Sequence, residues 1–258
     1  MKKPTSASSL DLARLNNRFK NAKPDKILKW LIKKTDLRLA VSTSFQSSGT
    51  VLLYFLRKID PDFPIYFINT GFHFPETLEF NARLTKKWDL NVITINPKIS
   101  KKALKKKYGS LLYETDPDLC CQINKVQPFN TLKQQIKADG WISALRRDQS
   151  PSRADFEMFM SDQAGTLRVH PLIYWTKERL WAYLIKHDLP YHPLYDQGYT
   201  SIGCFPYTCT SKSTTEDDDR SGRWAGREKT ECGLHQNLNR ERNTNLHKED
   251  GSHGKQEK

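Results

Sequence analysis

Five cysteines fall into three groups along the 258 residues: Cys120-Cys121, Cys204 with Cys209, and Cys232. Adjacent cysteines bridge each other only with strain, whereas a metal or cluster accepts both thiolates, so pairing with the couple at 204 and 209 is the economical reading. Spacing leaves three states open for these four thiols: an iron–sulfur cluster, a tetrahedral zinc site, and thiols without metal. Cys232 stands apart, in Lys229-Thr230-Glu231-Cys232-Gly233-Leu234-His235. Only a thiolate attacks sulfur effectively, and Arg220, Arg223 and His235 bring positive charge that favours it, with Glu231 acting against them.

A second chemistry-bearing stretch is Ser42-Thr43-Ser44-Phe45-Gln46-Ser47-Ser48-Gly49, between the apolar run Leu39-Ala40-Val41 and a helix beginning Thr50-Val51-Leu52-Leu53. Hydroxyls and unpaired N–H groups at a helix N-terminus favour an anion such as phosphate. No Gly-Lys-Ser/Thr follows, so the loop is not a Walker A motif.

The elements that must position these groups follow from periodicity. Apolar, β-branched runs predict strands at Leu37–Ser42, Pro64–Asn69, Asn91–Asn96, Trp141–Leu145 and Leu167–Pro171. Helical patterns predict helices at Asp25–Lys34, Ser47–Lys58, Pro75–Trp88 and Thr176–His187, with Thr176 as N-cap. Such alternation implies an α/β fold, a parallel twisted sheet with helices on both faces, in which ligands settle beyond the carboxyl ends of the strands. We divide the chain into a flexible segment at 1–20, one α/β domain at 21–209, a mobile glycine-containing arm at 210–235 and a disordered tail at 236–258.

The formal net charge of +13 suits a nucleic-acid binder or an enzyme that attracts a multiply charged anion. Much of it lies in Lys101-Lys102-Ala103-Leu104-Lys105-Lys106-Lys107, which reads as a solvated helix face or loop. No stretch reaches the roughly 18 apolar residues of a membrane span, and the basic N-terminus lacks a secretory apolar run. A cytoplasmic protein is expected, in which cysteines serve metal or catalysis more often than disulfides.

Several of these stretches together carry a resemblance to a known family. The first loop, with Asn69-Thr70-Gly71-Phe72-His73-Phe74-Pro75 after the second strand, resembles the PP-loop enzymes (adenine nucleotide α-hydrolase-like), and among them the assimilatory sulfonucleotide (APS/PAPS) reductases. Asp116-Pro117-Asp118-Leu119-Cys120-Cys121 with Lys125-Val126 looks like their first cluster segment, and Gly203-Cys204 to Cys209-Thr210 like their second. Arg220-Ser221-Gly222-Arg223-Trp224 and Glu231-Cys232-Gly233-Leu234-His235 are similar to their C-terminal signature. Four residues separate Cys204 from Cys209 where the family has two, as though Tyr207-Thr208 were inserted. The Ser-Gly-Gly-x-Asp-Ser loop of ATP-dependent adenylating PP-loop enzymes is not matched.

The resemblance implies reduction of APS to sulfite and AMP through an S-sulfonate on Cys232, resolved by thioredoxin or glutaredoxin. It implies a [4Fe-4S] cluster on Cys120, Cys121, Cys204 and Cys209. Ser42, Ser44, Phe45, Gln46, Thr70, Gly71, Lys125, Arg146, Arg220, Arg223 and His235 become substrate-contact candidates, with Arg147 and Arg153 behind them and Asp148 orienting them. Gly222, Gly226 and Gly233 would let the arm close over the nucleotide and reopen. Alternatives are a cluster-free PAPS reductase and a zinc-stabilised nucleic-acid-binding module. The resemblance calls for neither nucleic acid nor membrane, and leaves a homo-oligomer open.

Overall fold

A computed structural model describes residues 6–205, 212, 218–224 and 226–234. The first helix, α1 (Leu12–Phe19), is capped by Asp11, which accepts from Arg14 N at 2.9 Å. Then follow α2 (Pro24–Lys34), β1 (Leu39–Ser42), α3 (Ser47–Ile59), β2 (Ile65–Ile68), α4 (Pro75–Trp88), β3 (Val92–Ile95) and α5 (Lys101–Tyr108). After two short helices, α6 (Leu112–Thr115) and α7 (Pro117–Cys121), a π-turn at Gln122–Val126 runs into α8 (Gln127–Gln135). The chain continues through β4 (Gly140–Ile142), β5 (Phe159–Ser161), β6 (Leu167–Val169) and α9 (Lys177–Lys186).

The six strands form one sheet in the order β3-β2-β1-β4-β6-β5, parallel except where β5 runs against β6. Helices cover both faces. Val41 and Ile142 turn to the larger core, where α2 contributes Ile27, Leu28 and Leu31 and α3 contributes Val51, Leu52 and Leu56. Ala40, Tyr66 and Trp141 turn to the other side and meet Phe129 and Leu132 of α8. Phe129 packs edge-on against Trp141 with centroids 4.4 Å apart. Gly140 is needed where the chain passes between neighbouring strands, since a Cβ there would lie 2.7 Å from Leu39 Cδ2.

Strand order reverses between β1 and β4. One connection leaves β1 for β2 on one side and another leaves β4 for β6 on the other, so a crevice opens at their carboxyl ends. The amino ends of the same strands are joined: Arg38 N, Nε and Nη2 all donate to the Asp139 carboxylate, at 2.9, 3.0 and 3.1 Å.

The five expected strands and four expected helices are all present. Thr176 caps α9, accepting from Arg179 N at 3.3 Å. Three points depart from the sequence reading. The segment 1–20 expected to be flexible contains α1, whose Leu15 and Phe19 are buried in the larger core; two apolar residues four apart suffice for one helix face. The fourth strand ends at Ile142, because Ser143–Arg146 leaves the sheet to form a cleft wall. β5 was not expected, and only its antiparallel pairing with β6 marks its three residues as a strand. The lysine run is the exposed face of α5, anchored by buried Leu104 and capped by Ser100. No helix among the described residues is long and apolar enough to cross a membrane.

Candidate active site

A cavity of about 470 Å³ lies in the crevice where the strand order reverses, between the loop after β1, the loop after β4 and the C-terminal arm. The β1 loop is shaped by its own side chains. Thr43 Oγ1 accepts from Phe45 N at 3.0 Å, and Ser42 Oγ accepts from Trp141 Nε1 at 2.8 Å. A Cβ on Gly49 would meet Thr43 Oγ1 at 2.6 Å, so the helix can begin this close to the turn only with glycine. The N-terminus of α3 has no side-chain cap of its own. The Tyr195 hydroxyl takes that place, accepting from Ser47 N at 3.3 Å and from Ser47 Oγ at 3.1 Å. Burial raises the pKa of Tyr195, which therefore stays a neutral phenol.

The β4 wall is basic. Arg146, 2% exposed, donates through Nη1 to Ser48 Oγ at 2.8 Å and through Nε to Asp148 Oδ1 at 2.8 Å. Asp148 does orient an arginine, as expected. Arg168, in the middle of β6, also reaches the cavity; its carboxylate neighbour, Asp162, is 3.9 Å away and held at 2.7 Å by Lys133. Burial pulls Arg168 down to about 10, still far above neutrality, so the cation persists. His170, fully buried, meets Ser143 Oγ through Nδ1 at 2.9 Å. Burial, and then Arg168 and Arg153, push it down to about 3, so it stays neutral.

The arm closes the third side. Cys232 lines the cavity together with Arg220 and Arg223. Arg223 Nη2 donates to Ile202 O at 3.0 Å, and Arg220 Nη2 donates to Thr230 O at 3.0 Å and to Glu231 Oε2 at 2.9 Å. The Nε atoms of Arg168, Arg220 and Arg223 are buried and lack a hydrogen-bond acceptor among the described residues. Burial is the largest influence lowering the Arg220 pKa, followed by the neighbouring Arg223 and Arg153 cations; Glu231 and Cys232 act in the opposite sense. Buried cations whose side chains line one cavity favour an anion as occupant. The arm is tied to the β4 wall and to α9 and α7. Asp219 accepts from Lys177 at 2.7 Å and lies 3.7 Å from Arg146, while Lys229 pairs with Asp118 of α7.

Cys120 and Cys121 on α7 and Cys204 border one smaller cavity, with Thr70 and Lys125 between it and the main one. Thr70 Oγ1 lies 3.5 Å from Cys204 Sγ, and Asn124 Nδ2 donates to Cys120 Sγ at 3.6 Å. Buried Trp224 gathers Cys121, Cys204 and Cys232 around its ring. Among the described residues, no three Cys, His, Asp or Glu side chains converge as a single metal ion requires. Cys209 and His235, together with the Tyr207-Thr208 insertion, lie outside the described residues.

Of the expected contact residues, Ser42, Ser44, Gln46, Thr70, Lys125, Arg146, Arg153, Arg220 and Arg223 line the main cavity. Phe45 does not. Its backbone takes a positive φ of 57°, which turns the ring into the core against Phe67, centroids 5.6 Å apart. Gly71 stands outside the wall, its φ of 74° making room for the Lys101 side chain. Arg147 turns away, donating to Phe156 O at 2.6 Å and lying over Tyr174. His73 also lines the cavity; its Nε2 bonds Ile68 O at 2.9 Å and its ring packs on Phe67. Glu231, whose charge was expected to act against the arginines at Cys232, pairs directly with Arg153 and Arg220. Sequence reading passed over Arg168, Tyr195 and Lys177. A charge inside an otherwise apolar strand, Leu167-Arg168-Val169, was the available signal for the first.

The phosphoadenosine phosphosulfate reductase domain model matches residues 38–211. Curated relatives agree. The chain is 41% identical to adenosine 5'-phosphosulfate reductase 2 of Bacillus subtilis, over 81% of this chain and 88% of that one. It is 38% identical to the phosphoadenosine 5'-phosphosulfate reductase of Gloeobacter violaceus, over 87% and 93%. Among solved structures, the phosphoadenylyl-sulfate (PAPS) reductase of Candida auris, in a phosphate complex, superposes with a TM-score of 0.70 at 25% identity, covering 78% of this chain and 98% of that one.

Proposed function

The chain belongs to the phosphoadenosine phosphosulfate reductase domain family, and from that premise we propose that it reduces adenylyl sulfate (APS) to sulfite and AMP. The observation that carries this reading is the placement of Cys232 on the wall of a nucleotide-sized cleft beside buried guanidinium groups with unsatisfied Nε donors. The nucleotide phosphate sits by the β1 loop and the N-terminus of α3, and the sulfate end lies toward Arg220 and Arg223. The Cys232 thiolate attacks the sulfate sulfur, an S–S bond forms, and the bond from sulfur to the bridging oxygen breaks. AMP departs with the electron pair on its phosphate, where Arg220, Arg223 and Lys125 balance the charge. A thiolate of thioredoxin or glutaredoxin then attacks the Cys232 sulfur and displaces sulfite. A second thiol of that reductant closes its own disulfide and returns Cys232 as a thiolate.

Cys120, Cys121 and Cys204 around one cavity fit a cluster, which takes one iron per thiolate, better than a single zinc, whose ligands must converge. Cys209 would complete the [4Fe-4S] set. Bound there, the cluster would pin α7 to the Cys204 loop and set the electrostatics next to Cys232. Residues 210–235 act as the catalytic arm, and the reductant places the reaction in a reducing compartment such as the cytoplasm.

PAPS is the second reading, favoured by the names of the Gloeobacter violaceus and Candida auris proteins. Sulfite release measured with APS and with PAPS, alongside iron and acid-labile sulfide analysis of anaerobically purified protein, separates the two. We expect turnover of APS, an iron-containing protein, and no sulfite from Cys232→Ser. An iron-free protein turning over PAPS faster would exchange the substrate assignment. A serine variant working at the normal rate would end the reductase reading.

A further inference from the structure

We propose that Glu231 is a positioning residue for the reaction: its carboxylate is a latch that locks the segment carrying Cys232 onto the nucleotide-binding domain through Arg153. This rests on the reductase reading above and assigns a task to a side chain that reading leaves unused.

The contacts are unusually complete for a loop. Arg153, 3% exposed, donates through Nε to Glu231 Oε1 at 2.6 Å and through Nη2 to Oε2 at 3.0 Å, a two-pronged pairing that fixes the carboxylate plane. Arg220 Nη2 adds a third bond at 2.9 Å, and Ser152 Oγ a longer one at 3.4 Å. Arg153 is steadied in turn by Gln149 Oε1 and by its place in the turn Pro151–Arg153, beside the β4 wall. Within 226–234, Glu231 alone is buried, at 6% exposure; its neighbours are exposed or half-buried. The nucleophile's segment is therefore anchored chiefly by a charge, with half-buried Leu234, packed against the core on the α8 side, as its apolar contact.

The pairing also divides the arginines by task. Glu231 occupies both prongs of Arg153 and one nitrogen of Arg220, whereas Arg223 donates to Ile202 O and lines the cavity. Arg153, an expected substrate contact, serves the protein's own carboxylate. An amide at 231 would keep the size but offer a single acceptor oxygen, and would turn N–H donors toward a guanidinium.

The test uses the full chain with Glu231→Gln, Arg153→Met and the double variant. Three properties are read: sulfite formation against APS concentration, AMP binding by calorimetry, and alkylation of Cys232 by iodoacetamide followed by peptide mass. Displacing a nucleophile by about an ångström costs on the order of 100-fold in rate, so kcat should fall by about that factor. KM and AMP affinity should stay within about threefold, because the nucleotide is held by the β1 and β4 loops. The double variant should be no slower than either single one, since both break the same latch. Alkylation should speed up about tenfold as the segment comes away. A wild-type kcat in Glu231→Gln, parallel losses of kcat and AMP affinity, or multiplying losses in the double variant would each overturn the latch. A wild-type protein yielding no sulfite from either nucleotide would instead sink the reductase reading. The alkylation rates would then judge the latch on their own, with equal rates in wild type and Glu231→Gln counting against it.

Discussion

The two sides of the cleft are held by different forces. The β1 loop is fixed by packing and hydrogen bonds: a turn closed by Thr43, a glycine packed against it, a phenylalanine turned into the core, and bonds of its serines with Trp141, Tyr195 and Arg146. The arm is held by side chains reaching across the fold, Glu231 to Arg153, Asp219 to Lys177 and Lys229 to Asp118. Packing and hydrogen bonds give a rigid loop that salt barely affects, the proposed seat of the nucleotide. Ion pairs with side chains from distant elements give a closure that responds to charge and that, under the proposed mechanism, would be released and remade for a reductant to reach Cys232.

The contrast can be broken first on the arm side. Arg223 is buried, donates to Ile202 O and lines the cavity, so Arg223→Ala should cost about 100-fold in kcat/KM, or about 2.7 kcal/mol of transition-state stabilisation. Steady-state kinetics would read it, with thermal melting shifting little. On the loop side the pattern should invert. Gly49→Ala forces a methyl to within 2.6 Å of Thr43 Oγ1, and overpacking of this kind costs about 2 kcal/mol. Denaturant melts should show that loss while Cys232 alkylation stays unchanged.

A smaller effect comes from pH. His170 is held neutral with its pKa lowered to about 3, while in the unfolded chain it takes a proton below about 6.5. Its contribution is complete above about pH 6.5 and is lost as pH falls toward 3, at no more than about 1.4 kcal/mol per pH unit. Melting curves at pH 7.5 and 5.5 should show this slope in the wild type and a shallower one in His170→Gln.

What the sequence revealed follows the same division. The β1 loop, the strands around it and the helix after it were legible because period, turn chemistry and cap all lie within a dozen residues of one another. β5 was hidden because three residues carry no period, and α1 because its apolar face sits in a polar segment. In the site, Arg146 and Arg220 were found by their motifs. The pairing of Glu231 with Arg153 spans 78 residues, and no local pattern can announce it. Phe45 was misplaced for a related reason: its position in a binding loop is read from the chain, whereas the direction of its ring depends on a backbone angle.

Arg38 and Asp139 staple β1 to β4 at the end of the sheet opposite the cleft. The two strands flanking the crevice are also paired from Leu39–Gly140 to Val41–Ile142, so they cannot part, and any widening must come from the loops beyond them. On the proposed function, admission of a nucleotide would proceed by lifting the loops and the arm alone, leaving the sheet beneath as an unmoving floor.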